Sequence, residues 1–181
     1  MDLDLRLLQW IASHRTDALT DVARTIMAGG GSRALGLGLV VIFVLGIAID
    51  QVGAVWIAIV AGGTASAVAT AFKALADRPR PPADLALVTT TGTSMPSTIA
   101  ALTAGAAIAL LVTLRWPTRA VRRIAVASLC LVVAVVGAAM IYLGAHWLSD
   151  VLVGWVLGAA TALAFGLPFA RIRLRGRDVS S

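Results

Sequence analysis

The sequence predicts an all-α, polytopic transmembrane helix bundle of five spans preceded by an amphipathic segment, on three observations. Of 181 residues, 59% are hydrophobic and 13% charged, against about half and about a quarter in soluble domains, and the mean hydropathy is +0.92. Five charge-poor stretches come close to or exceed the roughly 20 apolar residues that cross about 30 Å of hydrocarbon. The basic residues gather mainly between and after those stretches. At this length one membrane domain, 1–181, is expected.

The first segment, Leu3 to Met27, suits the membrane interface better than a span. Leu3, Leu7, Leu8, Ile11, Leu19, Val22, Ala23 and Ile26 recur at helical spacing, while Asp4, Arg6, Arg15, Asp17, Asp21 and Arg24 take other faces. That pattern predicts an interfacial amphipathic helix or helix pair. It lacks the basic start, unbroken apolar core and small-residue cleavage site of a secretory signal, so it is read as part of the mature fold. Gly29-Gly30-Gly31-Ser32 ends it, giving a first region of 1–32. The bundle follows over 33–170, with spans at Ala34 to Ile49, Val52 to Phe72, Ser97 to Leu114, Ile124 to Leu143 and His146 to Ala170. A basic tail, 171–181, closes the chain. Between the second and third spans, Lys73 to Pro96 holds Arg78-Pro79-Arg80-Pro81-Pro82 and a Thr/Ser/Gly run, which predicts an irregular loop of functional length.

Fifteen basic residues face nine acidic ones, all Asp, for a net charge of +6. Because the arginines are dispersed between apolar runs, nucleic-acid binding is excluded as the reason for the excess. Cys130 is the single cysteine, which excludes a disulfide or a cysteine-ligated metal site within one chain. Arg115, Arg119, Arg122 and Arg123, with the tail arginines 171, 173, 175 and 177, predict the cytoplasmic side of an inner membrane. Five spans then put the Lys73 to Pro96 loop on the external face, where Lys73, Arg78, Arg80, Arg6, Arg15, Arg24 and Arg33 run against that rule. A bound anion would account for cations placed there.

Three groups of residues could carry chemistry. His146 and Asp150 are four apart, on one face of a helix; an interfacial His beside a snorkelling Asp has the same spacing. A carboxylate on one imidazole nitrogen fixes the tautomer and frees the other nitrogen to attack. Lys73, Arg78 and Arg80 could clamp a phosphate, or be solvated among headgroups. Met95-Pro96-Ser97 reads as a helix start, which serves ordinary capping or offers N–H groups and a hydroxyl to an anion. All three fall on one membrane face. His14 is expected at the interfacial surface. Gly154 and Gly158 form a G-x-x-x-G, fitting a homodimer face or, more commonly, close packing within one bundle.

The order and spacing of these residues resemble the type-2 phosphatidic-acid phosphatase superfamily, membrane lipid-phosphate phosphatases whose site is related to that of the vanadium haloperoxidases. Lys73 to Pro81 fits K-x6-R-P, Pro96-Ser97 fits the first half of P-S-G-H, and Tyr142 to Asp150 resembles the end of S-R-x5-H-x3-D. The resemblance implies that His146 takes the phosphoryl group and Asp150 orients it. It makes Lys73, Arg80 and Ser97 phosphate ligands, with Arg78 and Thr98 accessory to them. No metal or other cofactor is required, and the partners are the bilayer and a lipid phosphate or polyprenyl (di)phosphate.

Two positions depart from the family. Thr98-Ile99 replaces Gly-His, removing the histidine that protonates the leaving group. Ala139-Met140 replaces Ser-Arg, removing a phosphate-binding arginine. General acid catalysis contributes about 10²–10⁴-fold, and charge stabilisation at the phosphoryl group is lost as well. A phosphate leaving group departs without full protonation, so remaining activity is expected to favour polyprenyl diphosphate over phosphatidic acid. The second expectation is a catalytically inactive pseudophosphatase that binds a phospholipid or polyprenyl phosphate, or serves as a subunit of an envelope complex.

Overall fold

The computed structural model describes residues 2–29, 44 and 46–178. Those residues form helices and connecting turns, with no strand among them. Most of the expected span Ala34 to Ile49, with residues 30–33 ahead of it, lies outside the described residues. Two short helices open the chain, α1 (Asp2–Ser13) and α2 (Asp17–Gly29). Four longer ones follow: α3 (Val52–Ala76), α4 (Thr98–Thr113), α5 (Arg119–Tyr142) and α6 (Leu148–Asp178). Three are long and apolar enough to cross a membrane: α3, α5 and the Leu148–Ile172 part of α6. The 16 residues of α4 rise only about 24 Å at 1.5 Å each, less than the roughly 30 Å of the hydrocarbon layer.

The helices outrun the predicted spans where those stopped at a charge. α3 continues through Lys73 to Ala76, and α5 begins at Arg119. A helix satisfies its own backbone whatever its side chains carry, and long basic side chains reach past the apolar layer. Each long helix also has a defined end. Asp77, in the left-handed region at φ 38°, donates its N–H to the Lys73 carbonyl and stops α3. Ser97 caps α4 by accepting from the Ala100 N–H, and Thr118 caps α5 by accepting from the Val121 N–H.

Inside the bundle the side chains are small and the large ones face outward. Ala58 and Ala61 of α3 are buried with Ala109 of α4 and Ala162 of α6, and Ala65 and Ala69 of α3 with Ala101 of α4; Ala54, Ala100 and Ala104 are buried as well. Val60, Phe72, Leu152, Val156 and Leu163 are exposed on the outside. Hydrocarbon solvates a leucine as well as a protein core does, so close backbone approach and dispersion hold such helices together. A Cβ on Gly154 would lie 2.6 Å from the Ser97 carbonyl oxygen, and one on Gly158 would lie 2.5 Å from that of Ala101. The G-x-x-x-G therefore packs α6 onto α4 within the chain.

α5 joins this core chiefly through its last turns, where Gly137, Ala139, Met140 and Ile141 are buried. The α1–α2 pair lies across that end, with Ala23 packed beside Ala139 and Leu143. Arg15 ties it down by donating to the Tyr142 carbonyl from Nε at 3.0 Å and to the Leu85 carbonyl from Nη2 at 2.8 Å. At the other end of the bundle, Gln51 before α3 exchanges hydrogen bonds with the backbone of Arg115 after α4. The connections 77–97 and 143–147 thus share one end with α1 and α2, and the Arg119, Arg122 and Arg123 cluster begins at the opposite end.

Candidate active site

α6 starts at Leu148, so His146 lies in the turn ahead of it rather than on its face. Gly144 makes that turn, at φ +70° and against the backbone of Leu85 and Ala86, where a Cβ would approach to 2.7 Å. The His146–Asp150 spacing therefore works differently from the helical pairing the sequence predicts. Asp150 sits in the first turn of α6 and reaches back to accept the Trp147 N–H at 2.9 Å, the return half of a capping box. The same oxygen, Oδ2, lies 3.3 Å from His146 Nδ1. Both residues are buried, His146 at 6% and Asp150 at 0% exposure.

On the other side of the imidazole, Nε2 is 3.5 Å from Arg80 Nη1, which also donates to the Ala145 carbonyl at 2.7 Å. Arg80 Nε donates to the carbonyls of Thr91 and Gly92 at 3.1 and 3.2 Å. Lys73 Nζ donates to those of Thr93 and Ser94 at 2.8 and 3.1 Å. The Thr/Ser/Gly run thus wraps both cations with main-chain oxygens. Ser94, fully buried, fastens the loop by donating its hydroxyl to the Pro79 carbonyl at 3.0 Å.

Burial pulls the His146 pKa below its ordinary 6.5; the Asp150 hydrogen bond opposes that shift and the Arg80 charge adds to it. The imidazole is then neutral near pH 7. With Nδ1–H directed at the carboxylate, Nε2 carries the lone pair on the side of Arg80.

The remaining predicted residues fall around this centre. Arg78 points away from Nε2: its Nη1 donates to Asp150 Oδ1 at 2.8 Å and its Nη2 to Asp4 Oδ2 at 2.7 Å. Ser97 is fully buried, and its hydroxyl meets Met140 Sδ at 3.6 Å while accepting from Ala100. Its own N–H donates to the Asp150 carbonyl at 3.0 Å. Pro96 precedes that cap, across a cis bond from Met95, rather than occupying the first helical turn. Thr98 is half-buried as the first residue of α4. His14 is exposed, stacked on Trp10 at 4.6 Å between ring centres. Among the described residues no three His, Cys or Asp side chains come together as a metal ion would need.

Ile99 and Met140, far apart in sequence, line the same apolar cavity of about 300 Å³ with Ile26, Met27 and Val136. Ile99 is 37% exposed there and Met140 1%. Asp4 and Ser149 were not singled out by the sequence, yet each touches the centre, as does Trp147. Ser149 Oγ donates to Asp4 Oδ2 at 2.6 Å, and Trp147 Nε1 donates to the Pro79 carbonyl at 2.9 Å. Asp4 carried no signal, being one of several charges on the polar side of an amphipathic segment.

Fold and centre together define a helical membrane protein of lipid-phosphatase architecture. The PAP2 superfamily profile matches residues 54–172, and the chain belongs to that family. No curated protein matches the chain. In fold it is similar to the crystal structure of a transmembrane PAP2-type phosphatidylglycerolphosphate phosphatase from Bacillus subtilis, with TM-score 0.79 and 22% identity over 91% of this chain and 83% of that one. It is also similar to Aquifex aeolicus LpxE, with TM-score 0.71 and 23% identity over 90% and 93% of the two chains.

Proposed function

We propose that the protein is a membrane-embedded lipid phosphate or diphosphate phosphatase working through a phosphohistidine at His146, weakly and with a preference for polyprenyl diphosphate. The observation that carries this reading is the imidazole held between Asp150 on Nδ1 and Arg80 beside Nε2. Nε2 attacks phosphorus as the bond to the leaving oxygen breaks, and that oxygen keeps the electron pair. Water then attacks the phosphohistidine and releases phosphate and neutral imidazole. Lys73, Arg80 and Ser97 hold the phosphoryl oxygens, Ser97 once its hydroxyl turns from Met140, with Arg78 and Thr98 accessory. A diphosphate suits a centre with Ile99 in place of an acid, since its leaving group needs no full protonation.

The whole chain, 1–181, is read as one domain of five spans in the cytoplasmic membrane with His146 on the external side. The charge-free run Ala34 to Ile49 supports a further crossing by its composition. A second reading, an inactive pseudophosphatase that holds a phospholipid or polyprenyl phosphate or joins an envelope complex, is favoured by Ile99 facing the apolar cavity.

Phosphate release from a panel of lipid mono- and diphosphates tests both. Hydrolysis that is fastest for a polyprenyl diphosphate and abolished by His146→Ala is the expected result. No release from the wild type, with release gained in an Ile99→His, Met140→Arg double variant, would establish the second reading instead.

A further inference from the structure

The N-terminal helix enters the centre through one side chain. Asp4 Oδ2 accepts from Arg78 Nη2 at 2.7 Å and from Ser149 Oγ at 2.6 Å, and Oδ1 accepts from the Ser149 N–H at 3.1 Å. That N–H is one of the unpaired donors in the first turn of α6, so a carboxylate from another helix caps the turn that carries Asp150. Arg78 Nη1 then donates to Asp150 Oδ1 at 2.8 Å, and the guanidinium lies 5.5 Å from the centre of the Trp147 ring. Asp150 turns its other oxygen to His146. The result is a continuous row from α1 to the imidazole: Asp4, Arg78, Asp150, His146.

We propose that Asp4 is a positioning residue for the His146–Asp150 pair, acting through Arg78 and Ser149. The proposal rests on the reading of His146 as the reacting group. With Asp4 in place, Arg78 divides its charge between two carboxylates and the row Asp4–Arg78–Asp150 carries one net negative charge. Without it, Arg78 neutralises Asp150 alone, and the carboxylate holds the Nδ1 proton less strongly. The other charges facing His146 are Lys73 at the end of α3 and Arg80 in the loop. α4 has no ionisable side chain, and on α5 Tyr142 bonds to the Thr16 N–H of the α1–α2 turn.

The chain has two histidines, so a His14→Gln background leaves His146 as the single imidazole for NMR titration of ¹³C-histidine-labelled protein in lipid nanodiscs. Removing a nearby negative charge destabilises the imidazolium, so Asp4→Asn is expected to lower the His146 midpoint by about half a unit or more. Asp4→Glu should restore it, and Asp21→Asn on the exposed side of α2 should leave it unchanged. An unshifted midpoint in Asp4→Asn, or an equal shift in Asp21→Asn, overturns the proposal. Should Asp4→Asn fail to fold, Asp4→Ser decides on the same threshold. The titration needs no turnover, so a parent without phosphate release would remove the hydrolase reading while leaving this result interpretable. In an active parent, kcat falls about threefold or more with KM within about twofold.

Discussion

Met140 places a thioether where the motif resemblance implies a guanidinium, and it packs as a core residue. It is packed against Ala100, Ile141 and Val151 and takes the Ser97 hydroxyl. An unpaired buried charge costs about 3–5 kcal/mol. Met140→Arg alone should therefore lower the thermal midpoint, and vanadate, supplying an anion to the new cation, should raise it again. A midpoint unchanged by the substitution would show that the side chain escapes to solvent. His146 yields a pH prediction with a definite sign. Its pKa is depressed, so the imidazole stays neutral above that value, and under the proposed mechanism phosphate release falls as pH drops through it, below the ordinary 6.5. By linkage, stability is fully present above 6.5 and declines as pH falls from there through the folded-state pKa. A pH–rate profile and thermal melts across the same range check both. These positions were readable in the sequence as residue types, because only 13% of the residues are charged and the chain has one Lys and two His. Their partners were less so: Arg78 looked like a third phosphate ligand, and only three-dimensional proximity to Asp4 shows it engaged between two carboxylates.

Helix identity was legible from hydropathy, and helix ends were not. α5 starts at Arg119, ahead of the charge-free run, whereas α6 starts two residues after His146 because Trp147 is its cap and Gly144 needs a positive φ. Spacing of four suggested one helical face for His146 and Asp150; the same number of residues also fits a cap whose third helical position reaches back. The α1–α2 pair was predicted as an interfacial element, and its role as a clamp on the site end was hidden, since an Arg such as Arg15 that caps a distant helix looks like any surface charge. The α4–α6 contact gives the prediction at this scale. Gly158→Ala sets a methyl against the Ala101 carbonyl and the Gly105 nitrogen, both backbone, so no rotamer change relieves it. A loss of about 1–3 kcal/mol is expected, read as a lower unfolding midpoint. The particle mass in detergent should not change, since the glycine faces its own chain; a shift to smaller particles would assign it to a dimer face instead.

For the molecule as a whole, the basic excess divides between two ends. Arg119, Arg122 and Arg123 start α5 at the end away from the site, which accords with a cytoplasmic position. At the site end the cations are largely answered from within: Arg15 by carbonyls, Arg78 by carboxylates, and Lys73 and Arg80 by the loop that wraps them. That lessens the conflict with the charge rule that the sequence posed. In a Cys130→Ser background, Thr90→Cys should react with an impermeant maleimide added outside intact cells, and Arg119→Cys should react only after permeabilisation. The reverse pattern would turn the protein over and place His146 in the cytoplasm.

The arrangement of small residues within and large ones without separates two properties that are usually entangled. Mutual recognition of α3, α4 and α6 depends on Ala and Gly contacts, whereas affinity for lipid depends on a different set of side chains, including Val60, Leu152, Val156 and Leu163. Glutamate, lysine or glutamine at those outer positions would leave the interior contacts in place, so a water-soluble counterpart of this bundle could be written by recolouring its exterior alone.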